Sequence, residues 1–175
     1  MKRLLTICFA VLVAVGLTAT VALAAVNVKS EPTISFSGAS ATVSGGNFSG
    51  LGNIDATGIL TVTGVANYQC RNNGASENVV PGQNPVDAGT GTSPATPIVA
   101  EKNGRATVPL ITASLTAPPT PSPQDVGCGG KGSNNWTVEL ISLTATAAHF
   151  EVEWSGDIVF CRNYTLGGSA TGTAC

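Results

Sequence analysis

Residues 60–70 read Leu-Thr-Val-Thr-Gly-Val-Ala-Asn-Tyr-Gln-Cys, and this stretch decides the fold class. In an extended chain its apolar side chains fall on one side, and its threonines and amides fall on the other. One apolar and one polar face are typical of an antiparallel strand with a single buried side. The stretch therefore predicts a half-buried strand. The inward positions are Leu60, Val62, Ala66, Tyr68 and Cys70.

A second alternating stretch occupies residues 136–154. Trp136, Val138 and Leu140 alternate with Thr137 and Glu139, and Phe150, Val152 and Trp154 alternate with Glu151 and Glu153. The pattern predicts two strands with the apolar side chains inward and both carboxylates of the second strand in water. His149 is expected near a hairpin end between these strands. Ser155-Gly156-Asp157 is expected to turn the chain into a further strand over 158–161.

Weaker signals predict strands elsewhere in the chain. Short strands are expected over 33–36 and 39–44, ended by Gly45-Gly46, and a weaker one over 48–56. A Gly-, Asn- and Pro-rich region follows, with one edge strand over 86–92. Segments 98–100 and 106–111 are expected to form a hairpin around a type I′ turn at Asn103-Gly104. The proline-rich stretch 117–123 is expected to be a stiff crossover within one domain.

About eight strands with turn signals between them predict an all-β fold. An immunoglobulin-like Greek-key β-sandwich is the first choice, and a jelly roll is the second. Hydrophobic residues make up 43% of the chain, which favours a packed core over disorder. The predicted core consists of Leu60, Val62, Tyr68, Val138, Leu140, Phe150, Val152, Trp154 and Phe160.

The first 24 residues predict export. Lys2 and Arg3 precede a long apolar run, and Ala22-Leu23-Ala24 has the small-x-small pattern that signal peptidase recognises. We expect cleavage of this signal peptide after Ala24, which leaves a single β-sandwich domain over 25–175 in an oxidising, extracellular space. An uncleaved membrane anchor formed by the same run is the alternative. No later apolar run is long enough to span a bilayer, so no membrane span is expected after cleavage.

The chain that follows the leader is acidic. Two of the eight basic residues lie in the leader, so six basic residues face ten acidic ones, and all of them are scattered singly. Binding to nucleic acid or to an anionic membrane surface requires clustered positive charge. Neither class of partner is therefore expected.

Four cysteines follow the leader, Cys70, Cys128, Cys161 and Cys175, and three pairings are open to them. We favour Cys70–Cys128 and Cys161–Cys175. The segment before Cys175 is rich in Gly, Ser and Thr and has little to dock it, so a bond to Cys161 would tie it through a short loop. The four cysteines are isolated rather than arranged as C-x-x-C pairs, so no zinc site is expected.

The sequence holds no recognisable catalytic constellation. His149 is expected to be a solvated surface residue, and the common phosphate-loop, nucleophile-elbow and metal-binding motifs are missing. Glu151 and Glu153 share a strand face, as the paired carboxylates of glycosidases can, but alternating charge also suits the wet face of any strand. No catalytic residue, cofactor or metal ion is predicted.

Exposed aromatic side chains would be the main signal of carbohydrate binding, since sugars stack on them. The candidates are Trp136, Trp154, Phe48, Tyr68 and Tyr164. Alternation directs Trp154 and Tyr68 inward. Trp136, which follows a polar stretch, is the candidate ligand-facing residue, and its competing role is to pack against the nearby disulfide.

Three segments carry a resemblance to a protein group. Ala66 to Gly74, Pro81 to Pro85, and Cys128 ahead of Asn135-Trp136-Thr137 are similar to small exported β-sandwich proteins of actinobacteria-like Gram-positive bacteria. The resemblance implies a bacterial source and supports the Cys70–Cys128 pair. Because the group has no assigned activity, the resemblance implies no functional residues. Cys161 and Cys175 are additions to its pattern.

These observations predict a secreted, non-enzymatic extracellular or cell-envelope protein that presents a rigid interaction or structural surface. A glycan- or cell-wall-polymer-binding module is the alternative, and a small secreted hydrolase is a third hypothesis. The partner itself is not identified by the sequence.

Overall fold

The computed structural model describes residues 25–74, 78–129 and 135–175, and the expected signal peptide lies outside these ranges. Within them the chain forms eleven strands in two antiparallel sheets, with no helix. The described part of the chain thus has no helix of the length and apolarity needed to cross a membrane. The predicted all-β, two-sheet architecture is confirmed.

The first sheet is built around β3 (Ser40–Ser49). One edge of β3 pairs first with β2 (Thr33–Ser37) and then with β1 (Asn27–Ser30), and the other edge pairs with β8 (Arg105–Ser114). The predicted strand end at Gly45-Gly46 is wrong. Both glycines have positive φ, 70° and 78°, and the register with β8 shifts around them, so they form a bulge within a continuing strand.

The second sheet is built around β4 (Ala56–Asn72) and β9 (Trp136–Trp154), which pair along nearly their whole lengths. β10 (Asp157–Thr165) and then β11 (Thr173–Ala174) extend the sheet beyond β9. The other edge of β4 takes three short strands in succession: β7 (Thr96–Ile98), β6 (Val86–Thr92) and β5 (Val79–Pro81). The predicted edge strand over 86–92 is confirmed. β5 was not predicted, and β7 begins two residues before the strand predicted over 98–100.

A single long strand, β9, replaces the two strands predicted over 136–154. His149 therefore lies within a strand and not at a hairpin end. The ladder with β4 accommodates one extra residue of β9 at Ile141 and another at Thr146, where the register shifts. Beside the first bulge, Leu140 is 38% exposed, which contradicts its predicted core position. Val138 is only partly buried.

The hairpin predicted over residues 98–111 does not form. β7 ends at Ile98 in the second sheet, whereas β8 begins at Arg105 in the first. A hydrogen bond from Gly104 N–H to the Glu101 carbonyl closes the turn at 2.8 Å, but Asn103 lacks the positive φ of a type I′ turn. The chain thus crosses between the sheets here, and it crosses back through residues 117–123 between β8 and β9. The strand predicted over 48–56 is also wrong, because residues 50–55 form a loop.

The core lies between the two sheets. Seven predicted members are buried: Leu60, Val62, Tyr68, Phe150, Val152, Trp154 and Phe160. The first sheet contributes Val43, Phe48, Val108 and Ile111, among others. The Phe48 ring meets the Phe160 ring edge-on across the sheets, with 5.4 Å between the ring centroids. Aromatic contact therefore joins the end of β3 to β10.

Both favoured disulfides are present, Cys70–Cys128 and Cys161–Cys175. Their Cα atoms are 5.5 Å and 5.6 Å apart, within the range that a disulfide spans without backbone movement. The first bond is fully buried and fastens the β8–β9 connection to the core face of β4. The second lies at the outer corner of the second sheet, where Cys175 is exposed.

Candidate functional site

The aromatic candidates are mostly internal. Phe48, Tyr68, Trp154 and Tyr164 are buried, so none of these four offers a face on which a sugar ring could stack. Trp136 opens β9, is partly buried and packs against the core. Its ligand-facing role stays a prediction.

A groove beside β5, here called the β5 groove, is a concavity of the second sheet with an aliphatic wall. Its volume is about 470 Å³, and it is lined by Asn67, Tyr68, Gln69, Val79, Val80, Pro81, Asn84 and Ile141. Val79, Val80 and Ile141 are 45%, 39% and 56% exposed, which is unusual for a cluster of aliphatic side chains. The groove therefore combines an apolar wall with amide groups.

Local structure explains why the groove is open. β5 has only three residues, and the ladder along β4 is then continued by the side chain of Asn84. This amide accepts a hydrogen bond from Tyr68 N–H (2.8 Å) and donates one to the Tyr68 carbonyl (2.7 Å). On the other side, the β9 bulge brings Ile141 to the groove. A side chain thus replaces a strand, and the sheet surface stays uncovered.

One rim of the β5 groove carries a compact polar network. The carboxylate of Glu139 accepts hydrogen bonds from Gln69 Nε2 at 2.6 Å and from Arg71 Nε at 2.8 Å. These bonds, led by that from Arg71, lower the pKa of Glu139 below its ordinary value. Among the described residues, this rim pairs one carboxylate with one guanidinium.

A second group of reactive side chains lies at the opposite edge of the same sheet. We call His149, Glu151, Cys161 and Cys175 the His149 cluster. The β9–β10 register sets Cys161 opposite Glu151 and Asn163 opposite His149, and β11 brings Cys175 beside Cys161. The His149 ring contacts both sulfur atoms, with Nε2 3.7 Å from Cys161 Sγ and Nδ1 3.7 Å from Cys175 Sγ.

Both ring nitrogens of His149 also have oxygen partners. Nδ1 is 2.7 Å from Asn163 Oδ1, and Nε2 is 2.8 Å from Glu151 Oε1. The hydrogen bond with Asn163, and to a smaller extent the one with Glu151, raise the pKa of His149 above its ordinary value. Partial burial of the ring lowers it and so opposes this shift. The His149 side chain is thus partly exposed, as expected of a surface residue, but both of its ring nitrogens have partners.

Three side chains of the cluster have donor atoms suited to a metal ion. One nitrogen of His149 and the sulfurs of Cys161 and Cys175 all lie within 4.8 Å of one another. A shallow cavity of about 220 Å³, lined partly by Thr61, His149 and Asn163, opens beside them. While the disulfide is closed, its sulfurs are not thiolates, and only thiolates act as strong ligands.

Comparisons with known proteins place the chain in no group. No protein-family model, curated protein or solved structure matches it. The resemblance to small exported actinobacterial proteins stays a prediction.

Sequence reasoning did not find the His149 cluster, because its residues are not close together along the chain. His149 and Cys175 are 26 positions apart and fit no ligand-spacing motif. The turn at Ser155-Gly156 pairs Asp157 with Trp154, but a register shift between Ile158 and Phe160 is what places Asn163 opposite His149. Alternation does not reveal this shift, and the break wrongly predicted at His149 hid the pairing further.

Proposed function

We propose that this chain is a secreted or cell-envelope protein that acts through a binding surface, the β5 groove, and not by catalysis. Two disulfides support an oxidising, extracellular setting, since such bonds rarely persist in the cytosol. The leader pattern of residues 1–24 supports export. N-terminal sequencing of the exported protein tests this part, and retention of Met1 would overturn it.

The observation that carries the proposal is the aliphatic wall of the groove. Val79, Val80 and Ile141 leave a large part of their surface in water, and burying each against a partner is worth about 1 kcal/mol or more. The amides of Asn67 and Gln69 lie on the same floor and can orient a polymer or peptide that has both polar and apolar parts. A component of the cell envelope, protein or polymer, has this mixed chemistry.

We propose in addition that the sandwich is an immunoglobulin-like Greek key. Three connections that cross between the sheets, β3–β4, β7–β8 and β8–β9, support this topology, because Greek keys require such crossovers. A crystal structure of the exported protein tests it, and a jelly-roll strand order would overturn it.

The groove is tested by placing a charge in it. Ile141→Asp is compared with Leu110→Asp, a matched change at a 71% exposed leucine of the first sheet. Each protein is mixed separately with washed peptidoglycan, insoluble polysaccharides or insoluble envelope protein, and the fraction that sediments with the material is measured. We expect the unchanged protein and Leu110→Asp to sediment with one of these materials and Ile141→Asp to stay in solution. Equal behaviour of both variants, or no sedimentation of the unchanged protein, would overturn the proposal.

The two alternative functions, glycan binding and hydrolysis, are each tested by a separate substitution. Loss of polysaccharide binding in Trp136→Ala, with binding retained in Ile141→Asp, would favour the glycan-binding module over the β5 groove. Hydrolysis of any substrate in a broad screen, abolished by Glu153→Gln, would overturn the proposal that the protein is not an enzyme.

A further inference from the structure

The two disulfides differ in how easily a reductant can reach them. Cys70 and Cys128 are fully buried in the core, whereas Cys175 is exposed and Cys161 is partly exposed. Thiol–disulfide exchange requires a thiolate to reach one sulfur atom of the bond. A small dithiol should therefore open Cys161–Cys175 while Cys70–Cys128 stays closed.

Opening this bond would create two thiols beside an imidazole and a carboxylate. In a tetrahedral zinc site, Zn–S bonds of about 2.3 Å and Zn–N bonds of about 2.0–2.1 Å separate sulfur from nitrogen by about 3.6 Å. In the His149 cluster Cys161 Sγ is 3.7 Å from Nε2, whereas Cys175 Sγ is 3.7 Å from the other ring nitrogen, Nδ1. One ring nitrogen and both sulfurs lie within 4.8 Å of one another, so the donors are gathered in one place. After reduction the two sulfurs must separate before both can bind one zinc ion.

The oxygen partners of His149 complete a ligand set. Glu151 Oε1 lies 2.8 Å from Nε2, so an outward shift of the carboxylate would let one cation contact both the carboxylate and the ring. Asn163 Oδ1 accepts from Nδ1–H at 2.7 Å, which leaves Nε2 as the metal-binding nitrogen. An acceptor on the second ring nitrogen is the usual support of a zinc-bound histidine.

We propose that reduction of Cys161–Cys175 converts the His149 cluster into a Zn²⁺ site with Cys161, Cys175, His149 Nε2 and Glu151 as ligands. A dithiol donor passes two electrons and two protons to the disulfide and itself becomes a disulfide. Zn²⁺ then displaces the two thiol protons, and Nε2 releases its proton if it carries one. Two thiolates and an imidazole favour zinc over the hard cations Mg²⁺ and Ca²⁺.

The proposal also explains an otherwise unused arrangement. A disulfide that only tied the 166–174 segment would need no histidine against its sulfurs and no carboxylate on that histidine. The site is also distinct from the β5 groove, since it lies at the β10–β11 edge of the sheet and the groove lies at the β5 edge. The failure of one proposal therefore does not affect the other.

The test begins with selective reduction of the folded protein. The chain is treated with a limiting dithiol, the remaining disulfide is identified by peptide mapping, and Zn²⁺ is added with native mass spectrometry as the readout. We expect one zinc ion per chain in the reduced protein, none in the oxidised protein, and none in Cys161→Ser/Cys175→Ser. Co²⁺ in place of Zn²⁺ should give the charge-transfer absorption of thiolate ligation.

Single substitutions then identify the remaining ligands. His149→Ala and Glu151→Gln should weaken zinc binding, measured by competition with a chromophoric chelator. Asn163→Ala should raise the zinc dissociation constant about 10–100-fold, because the hydrogen bond that orients the His149 ring is lost. Glu153→Gln, an exposed carboxylate two residues from Glu151, is the matched control and should bind zinc as the unchanged protein does.

Several outcomes would overturn the proposal. These are equal zinc binding by the oxidised and reduced proteins, no binding by the reduced protein, an equal effect of Glu153→Gln and Glu151→Gln, or opening of Cys70–Cys128 before Cys161–Cys175. Circular dichroism of each variant separates loss of a ligand from loss of the fold. If His149→Ala unfolds, His149→Gln, which keeps a polar side chain without the imidazole ligand, takes its place.

Discussion

At the scale of single residues, Arg162 connects the two sheets through one ion pair. Its guanidinium forms a double hydrogen bond with the carboxylate of Glu31, in the β1–β2 connection, and its Cζ lies 4.9 Å from the centroid of the Phe160 ring. Arg162 belongs to β10 of the second sheet, and Glu31 lies between β1 and β2 of the first sheet. The pair therefore links one sheet to the other. Both side chains are partly buried, which strengthens the pair relative to an exposed one.

Removing this guanidinium should destabilise the fold in a pH-dependent way. Arg162→Met is expected to cost about 1–2 kcal/mol of unfolding free energy at neutral pH. The Arg162 hydrogen bond lowers the pKa of Glu31, so the contribution of the pair is complete above the ordinary glutamate pKa. It is lost as the pH falls through the lowered value. Urea unfolding at neutral and acid pH is the measurement.

Arg105→Met is the control for this prediction, because Arg105 is an exposed residue of the first sheet. Its loss should change the unfolding free energy little at either pH. An Arg162→Met protein that loses as much stability in acid as the unchanged protein would contradict the role of the ion pair.

At the scale of elements, bulges determine how the strands of this protein run. β3 passes through two glycines of positive φ, and β9 absorbs two extra residues, yet both strands continue to pair. Bulges bend and twist a strand without ending it. Long strands therefore extend along the full height of each sheet, and β9 brings Ile141 to the β5 groove while it holds His149 at the opposite edge.

The two glycines of β3 should respond differently to a methyl group. A Cβ at Gly45 would meet nothing within 4 Å, so Gly45→Ala should cost only the strain of a positive φ, about 1–2 kcal/mol. A Cβ at Gly46 would lie 2.5 Å from the backbone nitrogen of Pro32, so Gly46→Ala should cost clearly more. Thermal unfolding of both variants checks the order. Equal losses of melting temperature in the two variants would show that Pro32 moves away from the new methyl group without a cost in free energy.

At the scale of the whole molecule, the two disulfides stabilise different parts of the fold, the core and the corner of the second sheet. Cys70–Cys128 closes a loop of 58 residues inside the core, and Cys161–Cys175 closes one of 14 at the corner of the second sheet. Loop-closure entropy gives about 4 kcal/mol for the first and about 3 kcal/mol for the second. Burial adds to the difference in stability between the variants, because serine at positions 70 and 128 places two hydroxyl groups in the core.

We therefore expect Cys70→Ser/Cys128→Ser to lower the melting temperature much more than Cys161→Ser/Cys175→Ser. The 166–174 segment keeps other attachments when its disulfide is lost, including a hydrogen bond from Ile34 N–H to the Ala170 carbonyl at 3.1 Å. Calorimetric melts of the two double variants are the measurement. Equal losses would mean that the segment before Cys175 contributes to the core as much as the β8–β9 connection does.

Strand character, inward faces and covalent partners were predictable from the amino-acid order. Leu60 to Cys70 alternates with period two, and seven of nine predicted core residues are buried, because alternation is a property of neighbouring residues in one strand. Both disulfide pairs followed from four cysteines and the composition of the segment before Cys175. The two misplaced core residues, Val138 and Leu140, lie near the Ile141 bulge, which alternation does not reveal.

Only the tertiary structure decided which strand edges meet. β7 and β8 were expected to pair with each other, but each binds a different sheet, because the edges of β4 and β3 supply hydrogen-bond partners that lie far away in the chain. The same long-range pairing makes β9 continuous and gathers His149, Cys161 and Cys175 at one corner. Periodicity within a strand is local, whereas a functional cluster depends on the register between strands, and that register forms only when the sheets assemble.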